Sequence, residues 1–546
     1  MKTTINLLLI CCNIMLTVVC CQQIPKSDHS VTITPPRTAE PPPPPPVIEE
    51  IPNDELSFSD QIKEEEEVVS HPPTLRERYE TNAENEFQSP LRHPYSTFSI
   101  DVDQASYSNV RRFLMDGTQP PANAIRIEEM INYFDYDYSQ PKGERPFSIN
   151  MELAQCPWNG QHQLLHIGLQ GREIPKSNLP PNNLVFLLDV SGSMEDHNKL
   201  PLLKTAFKLL VKALRPQDRV AIVVYAGASG VVLPSTSGKQ KKSILLALDQ
   251  LQSGGATGGA SGIQLAYKVA RQNFLKGGNN RVILATDGDF NVGPSSDEEL
   301  VRLIEQKRDQ GISLSVLGFG TGNYQDAKME KLADNGNGNY AYIDNVTEAH
   351  KVLVKAFSST LFTIAKDVKL QIEFNPNRVK GYRLIGYENR RLADEDFNND
   401  QKDAGELGAG HSVTALYEII PTGSSENLST TIDPLKYQKK RMGLTNTNEW
   451  MTLKLRYKAP NAQKSQKIEQ ALTTEVSSWQ SSSENFRFSA AVASFGMNLR
   501  HSKYKGQMTY PQILEMARSA RGKDEMGYRS EFLKLVELAE AYGTEY

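Results

Sequence analysis

The sequence predicts an α/β fold: a mostly parallel central sheet covered by helices on both faces, flanked by a β-rich module and C-terminal helices. Three observations carry this. Leu184 to Leu188 is an unbroken apolar run, LVFLL, bounded by polar turn residues, the pattern of a strand buried on both faces. From there to about residue 358, apolar runs alternate with stretches of helical period, which implies parallel strands joined by helical crossovers. On both sides of this segment, stretches with a two-residue apolar period read as strands of a half-exposed sheet.

Residues 1–21 read as a lipoprotein signal peptide, with an apolar run from Ile5 to Val19 and cysteines at its end. The run is short for a membrane span. Lipidation of the first mature residue fits Cys21, since small Cys20 would precede the cut; Cys20 itself is the alternative. The expected location is the bacterial cell envelope, periplasmic side or cell surface, with membrane contact through the lipid anchor alone. Residues 22–80 read as a disordered Pro/Glu-rich tether, with prolines from Pro41 to Pro46 and an acidic run from Glu64 to Glu67. Such composition buries too little apolar surface to fold.

Residues 81–180 are an N-terminal flanking region of mixed α/β character. Thr97 to Asp103 alternates, Ser106 to Leu114 and Ile125 to Phe134 have helical spacing, and Phe147 to Leu153 and Gln163 to Leu169 alternate again. Asp101 and Asp103 read as strand-end and helix-capping carboxylates.

Residues 181–358 are the central domain. Leu203, Phe207, Leu210 and Leu214 mark a helix face, Arg219 to Tyr225 a strand, and Val231 to Leu233 a short edge strand. Helices follow at Ile244 to Leu251 and Ile263 to Phe274, then a strand at Val282 to Ala285. Asp297 to Gln310 is a helix with acidic residues in its first turn, where the dipole favours them. Ile312 to Phe319 and Asn339 to Ile343 complete the strands, and Thr347 to Phe357 the helices.

Residues 359–546 carry strands and then helices. The strands are Asp367 to Phe374, Val379 to Tyr387, Gly410 to Ile420 and Trp450 to Tyr457, with Arg390 to Leu407 and Thr422 to Asn448 as polar surface loops. The helices are Glu484 to Leu499, Tyr510 to Ala520 and Tyr528 to Tyr542. Strands before and after the central domain are expected to pair into one module.

Candidate chemistry gathers where the LVFLL strand ends. Asp189, Ser191 and Ser193 place one carboxylate and two hydroxyls at alternate positions of a turn, at the strand edge where open α/β sheets bind ligands. Gly254 to Gly262, GGATGGASG, places Thr257 in a loop before a helix; Leu284 to Asp289, LATDGD, places Asp287 at the end of another buried strand. With neither thiolate nor imidazole on offer, the oxygens favour Mg²⁺ over zinc or copper, and Mn²⁺ or Ca²⁺ would also be accepted. Two carboxylates on a divalent ion leave a vacant position for another anion.

The three loops resemble the von Willebrand factor type A domain and its metal-ion-dependent adhesion site. Asp189, Ser191 and Ser193 match its DxSxS element, Thr257 its threonine loop and Asp287 its TDG loop. The flanks carry a closer resemblance. YSTFSIDVDQASYSNVRRFL, RIEEMINYFDYDY, RLIGYENRRLADEDF, GHSVTALYEI and FRFSAAVASFGMNLR are similar to the bacterial YfbK-like proteins, over about Tyr95 to Tyr542. The resemblance implies an envelope-associated family. The expected role is binding: a Glu or Asp of a protein partner fills the vacant metal position.

Other classes are disfavoured. A net charge of -5 without a basic, aromatic-interleaved cluster gives no nucleic-acid footprint. No H-E-x-x-H, G-x-S-x-G or P-loop is present, and GFGTG at Gly318 to Gly322 lacks the full dinucleotide spacing, so no enzyme is expected. Metal-assisted hydrolysis and a purely structural ion are the rival readings. Of five cysteines only Cys156 lies in the body, which leaves no disulfide framework.

Overall fold

Three sheets and their covering helices make up the computed structural model, which describes residues 77–255, 259–288, 297–322, 324–356, 362–426, 428, 447–460 and 462–543. The expected signal peptide with Cys20 and Cys21, almost all of the tether, and Thr257 lie outside these residues. The first part of the chain forms β1 (Tyr95–Ser99), α1 (Ala105–Met115), α2 (Ile127–Asn132), β2 (Phe147–Gln155) and β3 (Gln163–Gly171). The central part runs β4 (Asn182–Asp189), α3 (Leu200–Ala213), β5 (Arg219–Tyr225), β6 (Ser229–Ser237), α4 (Lys241–Asp249), α5 (Gly259–Gln272) and β7 (Asn279–Thr286). It continues with α6 (Asp297–Asp309), β8 (Ser313–Phe319), α7 (Asp326–Asn335), β9 (Tyr340–Ile343) and α8 (Val346–His350). The last part holds β10 (Thr363–Phe374), β11 (Val379–Ile385), β12 (Gly405–Gly408), β13 (Ser412–Pro421), β14 (Met451–Lys458) and β15 (Gln466–Leu472). Helices α9 (Glu484–Leu499), α10 (Tyr510–Ser519) and α11 (Tyr528–Gly543) close it.

The central sheet has the order β6-β5-β4-β7-β8-β9, parallel throughout except for β6. Every residue of β4 is buried, as its apolar run requires. Its side chains alternate between two cores. Leu184, Phe186 and Leu188 join Leu203, Phe207 and Leu210 of α3, while Val185 and Leu187 join Ile263, Ala266 and Tyr267 of α5. Each of the Val, Leu, Ile and Phe side chains among them contributes about 1.5–3 kcal/mol by leaving water.

The flank is assembled across the central part. One antiparallel sheet has the order β1-β10-β14-β15, with β12 also on β10; the other is β11-β13-β3-β2. Tyr95 pairs with Glu373, and Leu165 with Tyr417, so each sheet combines strands from before and after the central part. The sheets share one core, Phe98, Leu370 and Leu453 from the first meeting Leu165, Ile167 and Tyr417 from the second. The other face of the second sheet packs Leu164, Leu416 and Ile385 under a layer that includes α1, α2 and the C-terminal helices.

That layer changes the reading of β3, which is buried on both faces and not half-exposed. Its polar and small positions are the ones covered: His166 Nε2 meets the Tyr138 hydroxyl at 2.9 Å. A Cβ on Gly168 would stand 2.3 Å from the Tyr138 ring. α9 is buried from Phe488 through Leu499, because its Ala, Ser and Gly positions let neighbours approach on every side.

Several expected elements differ. Arg390 to Leu407 is not a plain surface loop: Phe397 and Leu407 are buried and β12 lies within it. Asp103 does not cap α1; it accepts the Tyr340 N–H at 2.8 Å and pairs with Arg390 at 3.2 Å. The helix expected from Ile125 is confined to Ile127–Asn132, and the last central helix passes into a π-helical turn at Lys351–Lys355. Nearly all of the Thr422–Asn448 loop lies outside the described residues. Cys156 is a buried free thiol.

Buried ion pairs tie the parts together. Arg111 on α1 is 2% exposed and pairs with Asp344, with Glu348 at 2.8 Å and with Glu531 at 2.9 Å. Arg126 reaches Asp326 at 2.6 Å. Among the described residues no helix is long and apolar enough to cross a membrane.

Candidate metal centre

β4 delivers Asp189 to the edge of the sheet, where parallel strands end and their loops begin. The residue is fully buried, and its carboxylate is supplied with donors. Oδ1 accepts the Ser191 backbone N–H at 2.9 Å, which folds the loop over the strand end. Oδ2 accepts the hydroxyls of Tyr225 and Thr286, each at 3.0 Å. Tyr225 stands opposite Asp189 in the parallel register of β5, and Thr286 ends β7. Both neighbouring strands therefore aim a hydroxyl at the same oxygen. Burial pushes the Asp189 carboxyl above its ordinary range, the donors from Ser191 and Tyr225 oppose this, and the charge of Asp287 adds to it.

Ser191 is buried and Ser193 exposed, with their Oγ atoms 3.1 Å apart. Neighbouring ligands of an octahedral ion with bonds of about 2.1 Å lie about 3.0 Å apart, so this hydroxyl pair has the spacing of two adjacent ligands. Hydrogen bonds from Gly192 N to Gly255 O (3.0 Å) and from Gly254 N to Val190 O (2.8 Å) fasten the next loop beside the serines. Gly255 sits at φ +82, in the left-handed region that glycine adopts without a Cβ clash. Thr257 belongs to this loop and lies outside the described residues.

Asp287 follows β7 and is 1% exposed. The ammonium of Lys199 bridges it to the serine loop, at 3.0 Å from Asp287 Oδ2 and 2.9 Å from the Ser193 carbonyl. Lys199 is itself buried, its stem so close to Gly320 that a Cβ there would stand 2.5 Å from Lys199 Cε. The structure thus brings Asp189, Ser191, Ser193 and Asp287 to one edge.

The donors fit a hard divalent cation. All are oxygens and two hydroxyls have ligand spacing, while the Lys199 ammonium on Asp287 would compete with an ion there. Among the described residues no group of three or more His, Cys, Asp or Glu side chains could hold a metal ion, so an ion here would also need the serine hydroxyls. Sequence reasoning missed Tyr225, Thr286 and Lys199. The first two were legible as strand-end residues once β4 was placed between β5 and β7; nothing local marked Lys199.

Comparison with known proteins gives the same order of parts. The family model for the von Willebrand factor type A domain matches residues 183–355, one described as von Willebrand factor matches residues 73–166, and "Uncharacterized protein YfbK, C-terminal" matches residues 359–542. The chain is 44% identical over 493 residues to YfbK of Escherichia coli (strain K12), covering 89% of this chain and 84% of that protein. It is 23% identical over 259 residues to inter-alpha-trypsin inhibitor heavy chain H3 of Homo sapiens, covering 44% of this chain and 28% of that protein. Among solved structures, the von Willebrand factor type A protein from Catenulispora acidiphila aligns with 15% identity and a TM-score of 0.38, covering 75% of this chain and 90% of that one. With its flanks and its central domain all matched, the chain belongs to the YfbK family of von Willebrand factor type A domain proteins.

Proposed function

We propose that this chain is an envelope-anchored binding protein that captures a protein partner at the loop edge of its central sheet through a divalent cation. The observation that carries the reading is the Ser191–Ser193 hydroxyl pair, 3.1 Å apart, beside the buried carboxylate of Asp189. Asp189, Ser191, Ser193, Thr257 and Asp287 would hold Mg²⁺, directly or through water; Mn²⁺ or Ca²⁺ would suit the same oxygens. When bound, the ion would supply a positive centre with a position open to a Glu or Asp of the partner.

The chain's own residues prepare that position. Tyr225 and Thr286 hold Asp189 in place through Oδ2. The Ser191 N–H turns the loop so that Ser193 faces solvent, where a partner has access. Lys199 offsets the charge of Asp287 and limits the mutual repulsion of two buried carboxylates. A non-enzymatic role belongs to the same reading, since the cluster offers no general base beyond the proposed ligands. Lipidation at Cys21, or at Cys20, with residues 22–80 as a spacer, would keep the site at the membrane surface.

The test is affinity capture from envelope extract with Mg²⁺ or EDTA, comparing wild type with Ser193→Ala and Asp189→Asn. Asp189→Ala is a poorer probe, because it strands two buried hydroxyls at a cost of about 1–3 kcal/mol. A protein retained by wild type with Mg²⁺, and lost with EDTA or either variant, is the expected result. Capture indifferent to metal and to both variants would refute the metal bridge.

A further inference from the structure

The central sheet has a cavity at the edge away from Asp189 and Asp287. At the amino ends of β7 and β8, opposite the metal loops, the sheet, the segment around β12 and α7 enclose a cavity of about 390 Å³. Ligand pockets begin at about 300 Å³. Arg281, 3% exposed, lines it. Its Nη1 donates to Ser315 Oγ at 2.7 Å, its Nε has no partner, and no carboxylate among the described residues forms an ion pair with it. Burial pushes its pKa down to about 10, and the distant charge of Glu406 only partly offsets this. A buried cation without a contacting anion is costly in a finished core, and buried Arg normally sits in a bidentate pair.

Glu406 lines the same cavity. Its oxygens accept from Asn337 Nδ2 at 3.0 Å and Thr363 Oγ1 at 2.6 Å, both neutral donors. Burial pushes its carboxyl up; the Thr363 hydroxyl, and then Lys366 and Arg281 from beyond ion-pair distance, pull it down. Arg281 and Glu406 therefore present opposite charges to one cavity without touching each other.

We propose that this cavity binds a small zwitterion, an amino acid or short peptide, with its carboxylate on Arg281 and its ammonium on Glu406. Each end then receives the charged partner that the protein withholds, and the ligand joins the central sheet to the flanking strand β12. The proposal is independent of the metal loops, which lie at the other edge.

Isothermal titration calorimetry of the full-length protein tests it, with alanyl-alanine, its N-acetyl form and its C-terminal amide as probes, in EDTA. The expected result is saturable binding of the free dipeptide and a loss of about tenfold or more on blocking either end, each tenfold being about 1.4 kcal/mol. Arg281→Gln should weaken the free dipeptide by a similar factor. Glu406→Gln, at a partly exposed position, should do the same and should erase the penalty for N-acetylation. No saturable binding of the dipeptide, blocked forms that bind as well as the free one, or binding unchanged in Glu406→Gln would overturn the proposal.

Discussion

The central sheet and the flanking sheets are built from opposite kinds of information. In the central part, the parallel strands pair with neighbours reached through one crossover or a few, β6 joins β5 through a short hairpin, and the ligand-type residues lie at or just after the ends of β4 and β7. In the flank, β1 finds its partner at β10 and β3 at β13, with the whole central part between them. One region is therefore written in local periodicity and the other in long-range pairing. The lesson concerns function as well. The local region carries the loops proposed to hold a cation, while the cavity with Arg281 and Glu406 arises only where the two kinds of structure meet.

The two regions are joined most strongly at Arg111, which fastens α1 of the flank to Asp344 and Glu348 of the central part. Arg111→Ala takes away the guanidinium paired with Glu348, 1% exposed, leaving it the more distant Lys351, and should cost about 3–5 kcal/mol in urea unfolding. A loss near zero would mean that the two regions are stable separately.

His166 sharpens the contrast from the flanking side. Burial lowers its pKa from 6.5 to about 4, so the folded protein holds it neutral while the unfolded chain takes up a proton. A depressed folded pKa gives stability that is complete above the unfolded value and is lost as pH falls from about 6.5 toward 4. Between those limits the loss is about 3 kcal/mol, at 1.36 kcal/mol per pH unit. Wild type and His166→Gln should differ by that amount in how their unfolding free energies change over this window. Parallel pH profiles would show that His166 is not buried neutral.

The smallest effect belongs to the loop edge. Lys199 holds a cation 3.0 Å from Asp287, so it opposes a second positive charge there. Lys199→Met should raise Mg²⁺ affinity by roughly tenfold, about 1.4 kcal/mol, read by calorimetry. Unchanged or weaker affinity would show that the ammonium orders Asp287 without competing.

The split between local and distant information also explains what could be read from the chain alone. Arg219–Tyr225 and Glu484–Leu499 coincide with expected elements, since their periodicity is strong and their boundaries carry turn or cap signals. Ser483, for example, accepts the Phe486 N–H as the α9 cap. β15 escaped notice because it is an exposed edge strand, QKIEQAL, with no apolar alternation. β12 is a four-residue strand defined by its pairing with β10, and α7 is short with few apolar residues. The half-exposed reading of β3 failed because His166 and Gly168 are covered by Tyr138 and the helices, a fact fixed by residues far from the strand. At the loop edge, Asp189, Ser191, Ser193 and Asp287 were legible from type and spacing. Tyr225, Thr286 and Lys199 become visible through strand register and the fold of the loop.

Whether these oxygens form a divalent-cation site is read by a Mn²⁺ titration of the full-length protein followed by electron paramagnetic resonance. The expected result is one bound ion in wild type, competed by Mg²⁺, and its loss in both Asp189→Asn and Ser193→Ala while their thermal unfolding stays close to wild type. Equal Mn²⁺ binding by wild type and both folded variants would contradict it.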